Sequence, residues 1–209
     1  MYKNMREYKD LTEIFPNRLE FGNYKIIQGL TYSNTKDVKI LNFYNCVSNS
    51  AKVKVTGLYY KNNDSVECIM SSNLLEKLTA QNFINTANRN VLIFGLGLGL
   101  NILPLLEDEE ISHITVVDIN SEIVDNIGPY IKNHDANSKL TIINGDAFTY
   151  YQQLSETKFD VIYFDIWHFI NSSIQTDMET LKELYKNNIK ETGQIMYWCE
   201  DLFTNGIIN

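Results

Sequence analysis

The chain has 209 residues, 44% of them hydrophobic, and a formal net charge of −8 at pH 7. This length allows one full domain with a small appendage, and neither a membrane-spanning run nor an N-terminal signal core is visible, so a cytoplasmic protein without a membrane partner is expected. The acidic balance argues against broad nucleic-acid binding, which requires a basic face.

The charge is unevenly spread along the chain. Residues 1–61 hold ten Lys and Arg against five Asp and Glu, so the acidic excess lies in the remainder. The basic part either docks on the acidic part or faces an anionic substrate, and docking is the simpler interpretation. The cysteines, Cys46, Cys68 and Cys199, are too widely spaced to indicate a metal site.

The first 70 residues predict a small β-rich subdomain. A short helix is expected to end before Pro16. Alternating apolar residues then predict strands at residues 24–28, 38–44, 51–60 and 65–70, with Gly, Ser and Asn clusters between them. These strands indicate an antiparallel meander.

A helix is predicted over residues 74–86, leading into the next strand. Asn73 stands three residues before Glu76, which is the spacing of a capping box. We therefore interpret both residues as N-terminal signals of this helix.

The stretch from Asn90 to Asn101 organises the rest of the chain. An apolar run at residues 91–94 predicts a buried parallel strand, and three glycines follow at alternate positions, Gly95, Gly97 and Gly99. A helix-like leucine pattern comes next, so its N-terminus is expected to offer N–H groups to a polar ligand. A tight turn that binds nothing is the alternative.

Strands and helices alternate downstream. Strands are predicted at residues 113–118, 139–147, 159–167 and 193–199, and helices at 121–132, 147–154 and 176–189. This alternation predicts an α/β fold, a doubly wound, Rossmann-like parallel sheet of about five strands in residues 71–209, preceded by the antiparallel β-subdomain in residues 1–70.

Three acids end the predicted strands after the glycines: Asp118, Asp146 and Asp165. Ligands of doubly wound folds bind at the carboxyl ends of the strands. Asp118, about 20 residues beyond the glycines, can accept hydrogen bonds from both hydroxyls of a ribose. Asp146 can accept from an adenine amino group, and Asp165 is expected beside the reacting end. A nucleoside site is therefore predicted.

These motifs resemble class I S-adenosylmethionine-dependent methyltransferases, in particular their spermidine-synthase-like branch. The resemblance covers roughly residues 71–199 and rests on residues 91–99, 116–120, 144–148 and 159–167. It implies S-adenosyl-L-methionine as the cofactor. It also implies a nucleoside role for Gly95, Gly97, Asp118, Asp146 and Ala147. The predicted cofactor-binding residues include these five together with Gly99, Ile119 and Asp165.

The chain departs from this branch at two positions that hold a cationic polyamine. Spermidine synthases carry an acid within the glycine loop and another three residues after the strand-four Asp, where this chain has Leu98 and His168. Aminopropyl transfer to putrescine is therefore not expected. Asp165 remains the catalytic candidate, and Trp167 and His168 are candidates for substrate binding, with a core Trp and a surface His as the alternatives.

The leading hypothesis is an S-adenosylmethionine-dependent methyltransferase acting on a small or medium-sized molecule. The alternatives are another enzyme using the same cofactor, by aminopropyl-type transfer or cofactor cleavage, and a non-catalytic nucleoside-binding protein. An NAD-dependent oxidoreductase is less favoured, since its third glycine normally stands one residue further on. The sequence leaves a homodimer open.

Overall fold

The computed structural model describes residues 6–32, 52–168 and 174–207. Its first sheet is antiparallel and follows the order of the chain. The four strands are β1 (Arg18–Phe21), β2 (Tyr24–Tyr32), β3 (Lys52–Asn62) and β4 (Ser65–Ser71). The expected meander is therefore present, while the strand predicted at residues 38–44 lies outside the described residues.

The second sheet has five parallel strands in the order β7-β6-β5-β8-β9. They are β5 (Arg89–Phe94), β6 (Ile111–Asp118), β7 (Leu140–Asn144), β8 (Phe159–Phe164) and β9 (Ile189–Tyr197). The chain runs outward from the central β5 to one edge and then returns to β8 on the other side. This reversal is the switch point of a doubly wound fold. The prediction of a Rossmann-like sheet preceded by an antiparallel unit is confirmed.

The helices are α1 (Leu11–Ile14), α2 (Leu74–Thr86), α3 (Leu103–Leu106), α4 (Ser121–Lys132), α5 (Ile174–Tyr185) and α6 (Glu200–Thr204), with a 3₁₀ turn at Tyr150–Gln153. The extents of α2 and α4 are as predicted. The predicted end of α5 was wrong, because the chain turns at the buried Asn188, whose amide donates to the Thr157 carbonyl at 3.0 Å. As a result β9 begins at Ile189 and not near Gly193. Within the residues that the structure describes, every helix is too short or too polar to span a lipid bilayer.

The continuous apolar run of β5 is explained by the two layers that cover the sheet. Val91 and Ile93 pack into one core cluster with Phe83 of α2, and all three are essentially inaccessible to solvent. Leu92 and Phe94 pack into the other cluster, which includes α5. Because both faces of the strand are buried at residues 91–94, these four positions leave no place for a polar side chain.

The N-terminal part docks on the acidic part. Ile26 of β2 and Leu58 of β3 are fully buried in the same cluster as α2. Arg6 pairs with Asp108, and Lys9 pairs with Glu107. Docking, the simpler interpretation of the basic segment, is confirmed for these two basic residues.

Candidate active site at the carboxyl ends of the parallel strands

A cavity of about 440 Å³ lies at the carboxyl ends of β5, β6, β7 and β8. Small-molecule sites commonly measure about 300–1,000 Å³. The antiparallel sheet forms the opposite wall through Tyr24, Leu58, Ile69 and Met70. The predicted site residues that line the cavity are Gly95, Gly97, Asp118, Ile119, Asp146, Ala147, Asp165, Trp167 and His168. Gly99 is the exception.

Two glycines of the loop after β5 are required by their surroundings. Gly95 has φ +102°, and a Cβ there would lie 2.1 Å from the backbone carbonyl oxygen of Asp165. Gly97 has φ +48°, and its Cβ would lie 2.4 Å from the sulfur of Met70. The positive φ disfavours a side chain at both positions, and at Gly95 the Asp165 backbone also leaves no space for one, whereas at Gly97 the obstruction is a flexible side chain.

Gly99 was predicted to bind the cofactor, but it does not line the cavity. A Cβ at Gly99 would lie 2.4 Å from Cδ1 of Ile131, so this glycine permits close packing between the loop and α4. The expected helix N-terminus is also wrong, because α3 has four residues and begins at Leu103. So short a helix offers no ligand-binding terminus.

Asp118 fastens the end of β6 to the glycine loop. One carboxylate oxygen accepts the backbone N–H of Leu96 at 2.8 Å, and the other accepts that of Asn120 at 2.8 Å. Asn120, and not Asp118, caps α4. Each oxygen of Asp118 keeps a second acceptor position. The carboxylate is therefore held in a fixed orientation and can still bind two hydroxyl groups.

The adjacent wall combines an apolar surface with a second acid. Ile119 is 72% exposed and lines the cavity, whereas Ala147 is buried. Asp146 accepts the backbone N–H of Phe148 at 2.9 Å, and Tyr185 anchors the same loop by donating to the Ala147 carbonyl at 2.6 Å. A flat aromatic ligand would cover the exposed Ile119 beside the Asp146 carboxylate.

Asp165 follows β8 and faces the other half of the cavity. Its carboxylate accepts from the side-chain amide of Asn101 at 2.8 Å. Burial raises the pKa of Asp165 to about 7, and the nearby Asp118 charge adds to this, while the Asn101 hydrogen bond opposes it. Asp165 can therefore hold or release a proton near neutral pH.

Glu76, from the first turn of α2, lines the same cavity. Its backbone N–H donates to the Asn73 side chain at 3.0 Å, as predicted, but its carboxylate accepts from the backbone of Ser71. Burial, and secondarily the charge of Asp165, raises the pKa of Glu76 to about 8. Asp165 was expected to be the single acid in this half of the cavity because Leu98 and His168 replace the other two, but Glu76 is a second acid there.

Trp167 and His168 form the rim of the cavity beyond Asp165. The indole N–H of Trp167 donates to the Asp177 carboxylate of α5 at 3.0 Å, so its ring is held from outside the cavity. Trp167 is half-buried and His168 is exposed. Both residues therefore belong to the more accessible part of the cavity lining.

Sequence reasoning missed several cavity residues, namely Tyr24, Met70, Glu76, Asn101 and Trp198. The sequence contained some indication that Glu76 is a site residue, because it is an acid at the start of the helix that leads into the glycine strand. Its role in the capping box already accounted for an acid at this position. The others carried no local signal, since their roles depend on which chain segments pack over the strand ends.

The family model described as "Spermine/spermidine synthase domain" matches residues 75–205, which is more than half of the chain. No curated protein gives a significant match. The matched region contains all five parallel strands, the glycine loop and the strand-end acids.

Several solved structures share this fold. Spermidine synthase from Thermotoga maritima is 16% identical, with a TM-score of 0.50 over 73% of this chain and 57% of that one. A spermidine synthase in complex with the transition-state analogue AdoDATO is 17% identical, with a TM-score of 0.50 over 73% and 56%. An inferred methyltransferase complexed with SAH is 16% identical, with a TM-score of 0.51 over 68% and 39%. The chain thus spans between 39% and 57% of the length of these structures.

Proposed function

The chain belongs to the spermine/spermidine synthase domain family, and from this premise we propose that it is an enzyme that uses S-adenosylmethionine to methylate a small or medium-sized acceptor. The observation that carries the proposal is convergence. The glycine loop, Asp118, Asp146 and Asp165 follow four different strands and line one cavity. If each of the three acids had only a local structural role, they would not need to line the same cavity.

The residues of one half of the cavity fit the nucleoside of the cofactor. The Asp118 carboxylate, fixed by two backbone N–H groups, keeps acceptor positions for the ribose hydroxyls. The exposed Ile119 offers an apolar surface to adenine, and Asp146 offers an acceptor to its amino group. Gly95 and Gly97 allow the remainder of the ligand to lie against bare backbone.

The other half of the cavity suits an acceptor. When bound, S-adenosylmethionine supplies a methyl group on an electron-poor sulfonium, so the protein has mainly to align the two reactants. Asp165 stands at this end with a raised pKa and can take up the proton that the acceptor loses. Trp167, held by Asp177, offers a flat wall for the acceptor.

Aminopropyl transfer is the second candidate, and Glu76 favours it by adding a carboxylate beside Asp165. Two residues oppose it. Leu98 is fully buried in the core, and His168 stands exposed at the rim, so neither position supplies an acid to a polyamine.

A calorimetric panel of S-adenosylmethionine, S-adenosylhomocysteine, methylthioadenosine and NAD tests the proposal. We expect the first two to bind and NAD not to bind. Tight NAD binding without a response to S-adenosylhomocysteine would contradict it. Release of S-adenosylhomocysteine in the presence of an acceptor panel then distinguishes an enzyme from a binding protein.

A further inference from the structure

Asn101 is the one polar residue in a buried apolar segment. This segment, residues 100–106, follows the glycine loop, and its other members are Leu, Ile or Pro and are all buried. Asn101 itself is 7% exposed. Its backbone is fixed by a turn, in which the N–H of Ile102 donates to the Gly99 carbonyl at 3.0 Å. A segment that served packing alone would carry an apolar residue at this position as well.

The side-chain amide of Asn101 is only partly satisfied. Its nitrogen donates to Oδ2 of Asp165 at 2.8 Å, whereas its buried oxygen has no hydrogen-bond partner among the described residues. An unsatisfied buried acceptor is unfavourable, and a leucine of similar size would not have one. Packing therefore does not account for the amide, and its bond to Asp165 is left as its role.

This hydrogen bond favours the ionised form of Asp165, and the surroundings of Asp165 oppose that form. Burial raises the pKa of Asp165 to about 7, the Asp118 charge adds to this, and the Asn101 amide lowers it. The described residues that line the cavity include no Lys or Arg, and His168 is exposed at the rim. The other titratable groups that face Asp165 are Glu76, Tyr8, Tyr163 and Cys199. The pKa values of these four are also raised, mainly by burial, so none of them offers a positive charge.

The two carboxylate oxygens of Asp165 are not equivalent. Asn101 holds Oδ2, while Oδ1 accepts from none of the described residues and stays available in the cavity lining. The backbone of Asp165 is anchored separately, because its N–H donates to the Phe94 carbonyl at 2.8 Å. With the backbone and one oxygen held, the direction of the second oxygen is set.

We propose that Asn101 is a positioning residue, which orients the Asp165 carboxylate and stabilises its ionised form so that Oδ1 can take up a proton. The inference rests on the proposed function in one respect, since the proton is the one that the acceptor loses. The pairing of Asn101 with Asp165 can be measured without any ligand.

Carbon-13 NMR of the whole protein, with labelled aspartate carboxyl groups, tests the pair. The Asp165 carboxyl resonance is followed from pH 4 to pH 9 and is assigned by its loss in Asp165→Asn. The titration is repeated in Asn101→Leu, which keeps the approximate volume without the amide. Asn137→Leu, a matched change at an exposed turn, is the control. Circular dichroism and thermal melting establish that each variant is folded.

In Asn101→Leu we expect the titration midpoint of Asp165 to rise by at least about one pH unit, because a hydrogen bond to the charged form is lost. Asn137→Leu should leave the midpoint unchanged. An amide that served only the fold would lower the melting temperature without moving this midpoint. A wild-type midpoint in folded Asn101→Leu would therefore overturn the inference.

A second measurement uses the wild type and does not depend on the folding of Asn101→Leu. The side-chain N–H resonances of Asn101 should shift with the same midpoint as the Asp165 carboxyl, and those of Asn137 should not. Asn101 resonances that stay constant through the Asp165 titration would also overturn the pairing.

Calorimetry with methylthioadenosine separates this inference from the proposed function. Methylthioadenosine should bind folded Asn101→Leu as it binds the wild type, because Asn101 is paired with Asp165 and not with the nucleoside half. Weaker binding confined to Asn101→Leu would place the amide in the nucleoside site and overturn the inference. If the wild type binds no nucleoside, the proposed function fails, and the two NMR titrations still decide whether Asn101 controls Asp165.

Discussion

The backbone N–H of Leu98 donates to the sulfur of Met70 at 3.2 Å, which fastens the end of β4 to the glycine loop. The same sulfur lies 2.4 Å from where a Cβ of Gly97 would stand. One side chain of the antiparallel sheet thus helps to set the shape of the loop that is proposed to hold the cofactor.

Gly97→Ala is expected to lower the melting temperature, because a non-glycine residue at φ +48° costs about 1–3 kcal/mol and its Cβ meets Met70. Adding Met70→Ala should recover part of the loss, since the obstruction is a flexible side chain. In Gly95→Ala the obstruction is the Asp165 backbone, so Met70→Ala should recover nothing. Wild-type stability of Gly97→Ala would contradict this account, and thermal melting of the four variants measures it.

Asp118→Ala is expected to weaken S-adenosylhomocysteine binding by at least about 100-fold, since hydrogen bonds to a charged group contribute about 1.5–3 kcal/mol each and two are lost. Removal of the carboxylate also leaves the Leu96 and Asn120 N–H groups without their acceptor, which destabilises the fold. The melting temperatures of the wild type and the variant are therefore compared in parallel. Asp125→Ala, on the exposed face of α4, is the control. Unchanged affinity in folded Asp118→Ala would refute the ribose assignment.

Stability is expected to fall as the pH rises from about 4 to about 7. Asp165 has its pKa raised from 3.8 to about 7, so in this window the folded chain holds a proton that the unfolded chain has lost. One such group contributes a slope of at most about 1.4 kcal/mol per pH unit. Urea denaturation of the wild type and Asp165→Asn across this range should show a shallower slope in the variant.

Three neighbouring groups bear on this slope. Glu76, with a pKa of about 8, also makes stability fall as the pH rises. Asp165→Asn retains this contribution only in part, because the Asp165 charge is one cause of the raised pKa of Glu76. Tyr8, whose pKa is raised by burial and by both acids, stays neutral throughout, and Asp118 adds to the shift of Asp165. Equal slopes in the wild type and Asp165→Asn would show that Asp165 is ionised across the range.

No spermidine is expected when the protein is incubated with putrescine and decarboxylated S-adenosylmethionine. Leu98 is buried and His168 is exposed, so neither position supplies an acid, and Glu76 and Asp165 alone are too few for the several positive charges of both substrates. Chromatographic detection of spermidine, with an authentic spermidine synthase as the positive control, measures this. Robust formation would move the chain to the aminopropyl-transfer alternative.

The sequence by itself determined the features that depend on neighbours along the chain. The apolar run before Gly95 predicted a strand buried on both faces, and the strand-end positions of Asp118, Asp146 and Asp165 predicted that they would meet. Both predictions follow from local periodicity and from the fixed geometry of parallel strands, whose carboxyl ends share one edge.

The tertiary structure decided the features that depend on segments far apart in the chain. Glu76 and Asn101 come together with Asp165 because the start of α2 and the segment after the glycine loop both pack over the end of β8. Gly99 serves packing because Ile131 of α4 lies against it. The type of a polar residue and its neighbours in the sequence predict a local cap or turn. Which polar residues line the same cavity depends on how the hydrophobic core packs distant helices and strands together.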